Sequence, residues 1–355
     1  MPPLLRLTVL AALLLPLTCL HATGPPPPAA TACASPAQPL REQGYVPING
    51  IGQWVTITGA ACRNPVILFI HGGPGNALSP YADAIYAGWQ QDYTLVQWDQ
   101  RGAGMTYAQQ RPSDDVPLTV AQMRDDGIAV AEYLRQRLGQ DKVILMGSSW
   151  GSILGVHMAR ARPDLFHAYV GAAQVVNARQ NEAGMYREVL ALAQAAGDTA
   201  TVDRLAALGA PPWRDPRNFG ILRRFDRKYE ALATDAPPKH WWQPAPFYAT
   251  PAALAAAEAA DDYSYLQFIG LHGDGMFASI DLPALGTRFD LPVFLVMGEA
   301  DLLTSPAIAR TYFDSITAPA KGFTVVQRAG HDPNQAMLDA QWKVLREQVA
   351  PMTGH

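Results

Sequence analysis

Five residues, Gly147-Ser148-Ser149-Trp150-Gly151, stand between an apolar run, Val143 to Met146, and a segment whose apolar residues recur at helical spacing. A short apolar run without alternation reads as a strand buried on both faces. At such a strand-to-helix junction, G-x-S-x-G describes a nucleophile elbow. The serine occupies a strained corner, and both glycines are needed because a Cβ would collide with backbone as the chain doubles back. This turn constrains the fold strongly, because it demands a buried strand before it and a helix after it. Ser149 is the serine that fits the corner.

The flanking pattern agrees with that demand. Tyr45 to Ile48 and Trp54 to Thr58 read as a leading hairpin turned by Asn49-Gly50. Val66 to Ile70 is an apolar strand running into His71-Gly72-Gly73-Pro74-Gly75, and Tyr93 to Trp98 is another running into Asp99-Gln100-Arg101-Gly102. Thr119, with Gln122 three residues on, opens a helix carried by Met123, Val130, Leu134 and Leu138 and stopped by Gly139. After the elbow come a helix ending near Pro163 and a strand from Ala168 to Ala172. Between about Val176 and Arg288 this alternation gives way to alanine-rich helical sequence broken by Pro211-Pro212, Pro237-Pro238 and Pro251, which reads as an inserted cap. Strands return at Leu291 to Met297 and Gly322 to Gln327, and an amphipathic helix from Gln335 to Val349 closes the chain. The expected fold class is α/β: a mostly parallel, doubly wound sheet with a helical cap.

At 355 residues, with 49% hydrophobic and 16% charged, the chain can bury a large core. A formal charge of −4 and the lack of any Lys/Arg-rich run argue against a nucleic-acid partner. At the N-terminus Arg6 precedes an apolar stretch, Leu7 to Leu20, interrupted by Pro16. That stretch reaches only about 21 Å as a helix, short of a hydrocarbon core about 30 Å thick, so it reads as a signal peptide cleaved near Ala22 rather than a stable span. A lipid anchor on Cys19 is the competing reading, although Pro16-Leu17-Thr18 is a poor approach to one. Cleavage leaves Cys33 and Cys62, either paired as a disulfide in an oxidising compartment or as two free thiols. The expected organisation is a signal peptide at 1–22, a Pro/Ala-rich tether at 23–42, core at 43–176, cap at 177–288 and core again at 289–355.

A serine nucleophile needs a base to take its proton and a carboxylate to hold that base in the right tautomer. In a sheet of this kind both lie past the carboxyl ends of later strands. Asp301 stands four residues after Met297 and His331 four after Gln327. Glu299 is the alternative acid. The order Ser, Asp, His is that of an α/β-hydrolase. Two backbone N–H groups must face the developing oxyanion. Trp150 supplies one, and Gly73 the other, with Gly72 as fallback. The eight histidines and three cysteines show no metal-ligand spacing, and no cofactor is expected.

His71-Gly-Gly-Pro-Gly75, Asp99-Gln-Arg-Gly-Ala-Gly104 and Gly147-Ser-Ser-Trp-Gly-Ser152 resemble the three signatures of the proline iminopeptidase (prolyl aminopeptidase) family. The family more often has glycine where Ser148 stands. The resemblance covers about Tyr45 to Val176 and Leu291 onward, and implies a serine peptidase acting through an acyl-enzyme. In that family, cap carboxylates bind the free amino group of the substrate. This cap matches that pattern poorly, with Glu182 the best single candidate for the amine-binding acid. Glu188, Glu230, Glu258, Asp261 and Asp262 read instead as solvated helix faces, and Trp241, Trp242, Phe247, Tyr248, Tyr263, Tyr265 and Phe268 mostly as cap packing. The expected activity is an exported, periplasmic or extracellular aminopeptidase releasing N-terminal proline or a similar small residue from short peptides. A carboxylesterase or lactonase of the same fold is the runner-up, and a catalytically silent binding protein a third reading, disfavoured by the complete set of site residues.

Overall fold

Strands that are apolar on both faces need helices on both sides, and the computed structural model, which describes residues 33–113 and 116–354, has that arrangement. Eight strands form one sheet among the described residues: β1 (Leu40–Ile48), β2 (Ile51–Gly59), β3 (Val66–Ile70), β4 (Thr94–Asp99), β5 (Val143–Ser148), β6 (Phe166–Ala172), β7 (Val293–Gly298) and β8 (Lys321–Val326). Their spatial order is β1-β2-β4-β3-β5-β6-β7-β8. The β1–β2 hairpin turns through Asn49 (φ 44°) and Gly50 (φ 86°), both left-handed as a two-residue turn of this hand requires. β2 also runs antiparallel to β4, and the remaining neighbours are parallel. From β3 the chain steps outward to β4, then crosses back to β5 on the other side. Such a reversal opens a crevice at the carboxyl ends of β3 and β5.

Among the described residues the α-helices are α1 (Ala82–Tyr86), α2 (Gly104–Gln109), α3 (Val120–Leu138), α4 (Trp150–Ala161), α5 (Ala178–Ala195), α6 (Thr199–Leu208), α7 (Pro216–Ala233), α8 (Pro251–Ile269), α9 (Pro306–Ser315) and α10 (Gln335–Val344). Side chains alternate between the two faces of a strand, and β3 and β5 sort accordingly. Val66, Leu68, Ile70, Val143 and Leu145 join the core layer of α3, α4 and α9, while Ile67, Phe69, Ile144 and Met146 join the layer of α1 and α10. Between β6 and β7 the chain forms α5 to α8, and Met185, Val189, Leu205, Leu222 and Tyr229 give α5, α6 and α7 a small core of their own.

The helix signals operate as expected. The Thr119 side chain accepts the Gln122 N–H at 3.1 Å, and Gly139 ends α3 with φ 65°. Other features depart from the sequence reading or decide what it left open. β1 begins at Leu40, inside the stretch assigned to the tether, because Leu40 to Gly44 pair with Gly59 to Val55; its charges, exposed Arg41 and half-buried Glu42, disguise an edge strand. α1, α2 and α9, the last started by Pro306 at its first position, have no counterpart in the sequence reading. Cys33 and Cys62, for which two states were open, are joined in a disulfide beside the end of β2. The expected signal peptide, and the tether up to residue 32, lie outside the described residues. Among the described residues no helix is long and apolar enough to cross a membrane.

Candidate active site

β5 delivers Ser149 to the crevice in a conformation that few L-residues adopt, φ 55° and ψ −122°, and α4 starts at the next residue. Two glycines make that corner buildable. A Cβ on Gly147 would overlap the carbonyl of Gly151, and one on Gly151 would overlap the carbonyl of Ile70 at the end of β3. The elbow is thus wedged against the neighbouring strand, and the 3.2 Å bond from Ser149 N–H to the Ala172 carbonyl ties it to β6 on the other side.

The loop after β3 is fixed to the elbow by side chains of the strand-end sequence 99–101. Gln100 is fully buried; its amide N–H₂ donates to the His71 carbonyl at 3.0 Å and its Oε1 accepts the Trp150 indole N–H at 2.8 Å. Burial pushes His71 down to about 4, so its ring is neutral. Its Nε2 accepts the Gln100 N–H at 3.2 Å, which puts the proton on Nδ1, 2.8 Å from the Gly72 carbonyl. Asp99, pushed up to about 6 by burial, takes the Ser79 hydroxyl and the Met105 N–H. Arg101 grips Asp126 of α3 at 2.8 and 3.2 Å, ordering its own loop. Gly73 has φ +108°, and a Cβ there would overlap the amides of Gly75 and Asn76. A Cβ on Gly72 would lie 3.3 Å from that of Ser149. Trp150, the first residue of α4, has an N–H with no preceding turn to receive it.

His331 Nε2 is 3.0 Å from Ser149 Oγ, and its Nδ1 is 3.2 Å from Asp301 Oδ2. Asp301 is 1% exposed and further held by the N–H and hydroxyl of Thr304. Burial pushes the Asp301 carboxyl up, but the charge and hydrogen bond of His331 and the bonds from Thr304 outweigh it and hold the carboxyl below its usual value. Burial alone would lower His331; the adjacent Asp301 charge and hydrogen bond bring it above its ordinary value. Glu299, the alternative acid, is solvent-exposed, and the imidazole faces Asp301 instead.

One cavity of about 520 Å³ opens onto Ser149. Gly72, Gly73, Trp150, His331 and Glu182 all line it. Glu182 lies in the first turns of α5, half-buried, and desolvation pushes its carboxyl up to about 7. Beside it Asn181 is 3% exposed; its Oδ1 accepts the N–H groups of Val176 and Asn177, leaving Nδ2 without a partner. Trp242, Tyr265 and Phe268 also line the cavity, while Trp241, Tyr248 and Tyr263 pack in the interior.

Two cap acids depart from the expected solvated faces. Glu188 is half-buried and accepts the Ser305 hydroxyl at 3.0 Å. Glu230, on α7, is 7% exposed. Its carboxylate accepts the Leu302 N–H at 2.8 Å and the His331 N–H at 3.3 Å, bridging the two loops that carry Asp301 and His331. Burial and the nearby Asp301 charge push it up to about 7. Sequence reasoning missed it because its partners are backbone groups 72 and 101 residues away. Glu258 is exposed, and Asp261 and Asp262 are exposed residues on the cavity wall.

A sheet of this order with a serine at the β5 elbow, a histidine after β8 and an acid after β7 defines a class, and residues 65–334 match the family described as the alpha/beta hydrolase fold. The chain belongs to that family. Within it the resemblance is to proline iminopeptidase-like proteins. It is 27% identical to the Bacillus subtilis (strain 168) protein named "Probable aminopeptidase YbaC" over 81% of this chain and 89% of that one. It is 26% identical to the "Probable proline iminopeptidase" of Streptomyces coelicolor over 80% and 90%. The crystal structure of a proline iminopeptidase-related protein from Thermus thermophilus superposes with a TM-score of 0.57 at 22% identity, covering 88% of this chain and 99% of that one, which shows the shared fold.

Proposed function

We propose that this hydrolase is an exported serine aminopeptidase that releases N-terminal proline or a similar small residue from short peptides through an acyl-enzyme. The observation that carries the reading is the unbroken chain from Ser149 Oγ through His331 to Asp301, at 3.0 and 3.2 Å, opening into a cavity that holds the carboxyl of Glu182 with no hydrogen-bonded partner among the described residues. Ser149 Oγ attacks the scissile carbonyl as its proton passes to His331 Nε2. Asp301 accepts from Nδ1, fixing the tautomer and stabilising the imidazolium. The oxyanion is received by the N–H groups of Gly73 and Trp150, each worth roughly 3 to 4 kcal/mol of barrier. His331 returns the proton to the leaving amine, and water, deprotonated by the same imidazole, releases the acyl group.

Glu182 gives the reading its aminopeptidase character. A carboxylate on the cavity wall pairs with the substrate ammonium, and a group that ionises near 7 is charged just above neutral pH, where an α-amino group, whose ordinary value is about 8, is still largely protonated. The similarity to aminopeptidase-named proteins over four fifths of the chain supports the same conclusion. Export rests on the apolar leader and on the Cys33–Cys62 disulfide, which belongs to an oxidising compartment.

The test compares the full chain and its Ser149→Ala variant on a proline arylamide and on a short p-nitrophenyl ester. Arylamide turnover lost in the variant is the expected result. Ester turnover without arylamide turnover would favour the esterase reading, and activity surviving Ser149→Ala would refute the mechanism.

A further inference from the structure

The cavity straddles the carboxyl ends of β3 and β5. On one side Glu182, Phe219, Phe268 and Phe277 come from the cap and the α3/α4 face. On the other, Phe69, Leu78, Tyr86 and Met146 form an aromatic and aliphatic bay between the ends of β3 and β5 and helices α1 and α10, with Trp242, edge-on to Tyr81, at its rim. Besides the phenol of Tyr86, a carboxamide lines that bay. Gln341 of α10 is 5% exposed, sits among Met337, Leu338 and Val344 of the same apolar layer, and lines the cavity. Its Oε1 is shut off from solvent and has no hydrogen-bond partner among the described residues. A carboxamide in such a place is costly unless something bonds to it, and the Gln341 side chain lines the cavity beside Ser149.

We infer that Gln341 and the bay around it form a second substrate subsite, which takes a hydroxyaryl side chain, that of tyrosine, on the residue following the scissile bond. The inference rests on the aminopeptidase reading for its orientation. With the ammonium held at Glu182, on the cap side of Ser149, the leaving residue extends past the elbow to the opposite side, where the bay lies. The aromatic walls accept a ring face or edge. A phenol hydroxyl both donates and accepts, so it satisfies the carboxamide through either of its polar atoms. Phenylalanine fills the same volume but leaves the amide unpaired, and a site built around a hydrogen bond discriminates against the analogue that lacks it.

Calorimetric titration of the full chain carrying Ser149→Ala, which cannot turn substrate over, separates this from the catalytic reading. The probes are Pro-Tyr amide and Pro-Phe amide. The tyrosyl peptide is expected to bind about tenfold more tightly, the worth of one hydrogen bond to a buried amide. Adding Gln341→Met should bring the two affinities within about twofold by weakening the tyrosyl peptide alone, and an unchanged Pro-Phe affinity reports that the bay is intact. Equal affinities with Gln341 in place would overturn the subsite, and so would a tyrosyl preference that survives Gln341→Met. If the enzyme with Ser149 intact hydrolyses neither peptide while the binding preference holds, the aminopeptidase reading fails, and with it the placing of the ring after the scissile bond, while the contact between the phenol and Gln341 stands.

Discussion

Glu230→Gln isolates what the bridging carboxylate contributes. The side chain keeps its shape and one carbonyl oxygen, but an N–H₂ replaces the second acceptor, so one of the two bridged amides now faces a donor. The 2.8 Å bond to Leu302 is the stronger and keeps the oxygen; the 3.3 Å bond to His331 is the one lost. A hydrogen bond to a charged group contributes about 1.5 to 3 kcal/mol, and at this length the lower figure applies. If that bond holds His331 in register with Ser149, kcat on a proline arylamide falls about tenfold while KM changes little. Glu230→Ala strands both amides at about 1 to 3 kcal/mol each, so denaturant unfolding should show a loss of about 2 to 6 kcal/mol as well. The reasoning is refuted if Glu230→Gln leaves kcat within twofold of the parent. A change confined to KM would instead make Glu230 a substrate ligand.

Other consequences can be checked as directly. Glu182→Gln should raise KM for a proline arylamide about tenfold at pH 8 and leave an amine-free ester unaffected; because the carboxyl ionises as pH rises through about 7, the parent KM should fall between about pH 6 and 8 and the variant's should not. Gly151→Ala drives a methyl into the Ile70 carbonyl and should cost about 3 kcal/mol or more, whereas Gly139→Ala, with φ +65° but open space around it, should cost about 1 kcal/mol, both read by thermal unfolding. Breaking the Cys33–Cys62 link, which spans 29 residues, by Cys33→Ser with Cys62→Ser should lower stability by about 3 to 4 kcal/mol, measured against the oxidised parent in denaturant.

How much of this was legible in the sequence depended on how far each interaction reaches along the chain. The elbow declares itself because the clash that forces glycine at 147 involves residue 151, and the α3 cap because Thr119 binds an amide three residues on. Ser149, Asp301 and His331 are far apart in sequence, yet each follows a recognisable strand, so topology brings them together. β1 hid behind Arg41 and Glu42, whose charges suit an edge but mask the strand. Glu230 and Gln341 gave no local signal at all. One sits in a helical sequence like any surface acid, and the other is a polar residue on an amphipathic helix; only the packing of α7 against the β7 and β8 loops, and of α10 against the sheet, shows that both are buried.

Gln100 has a further implication. It joins the loop of Gly73 to the ring of Trp150 without touching the cavity. The loop that carries Gly73 and the first residue of α4 are therefore tied to one buried side chain at the end of β4, as a lens mount holds two elements. A substitution in α5 to α8 can change the substrate accepted without touching the bonds that Gln100 makes. A chain built this way separates what it recognises from how it cuts.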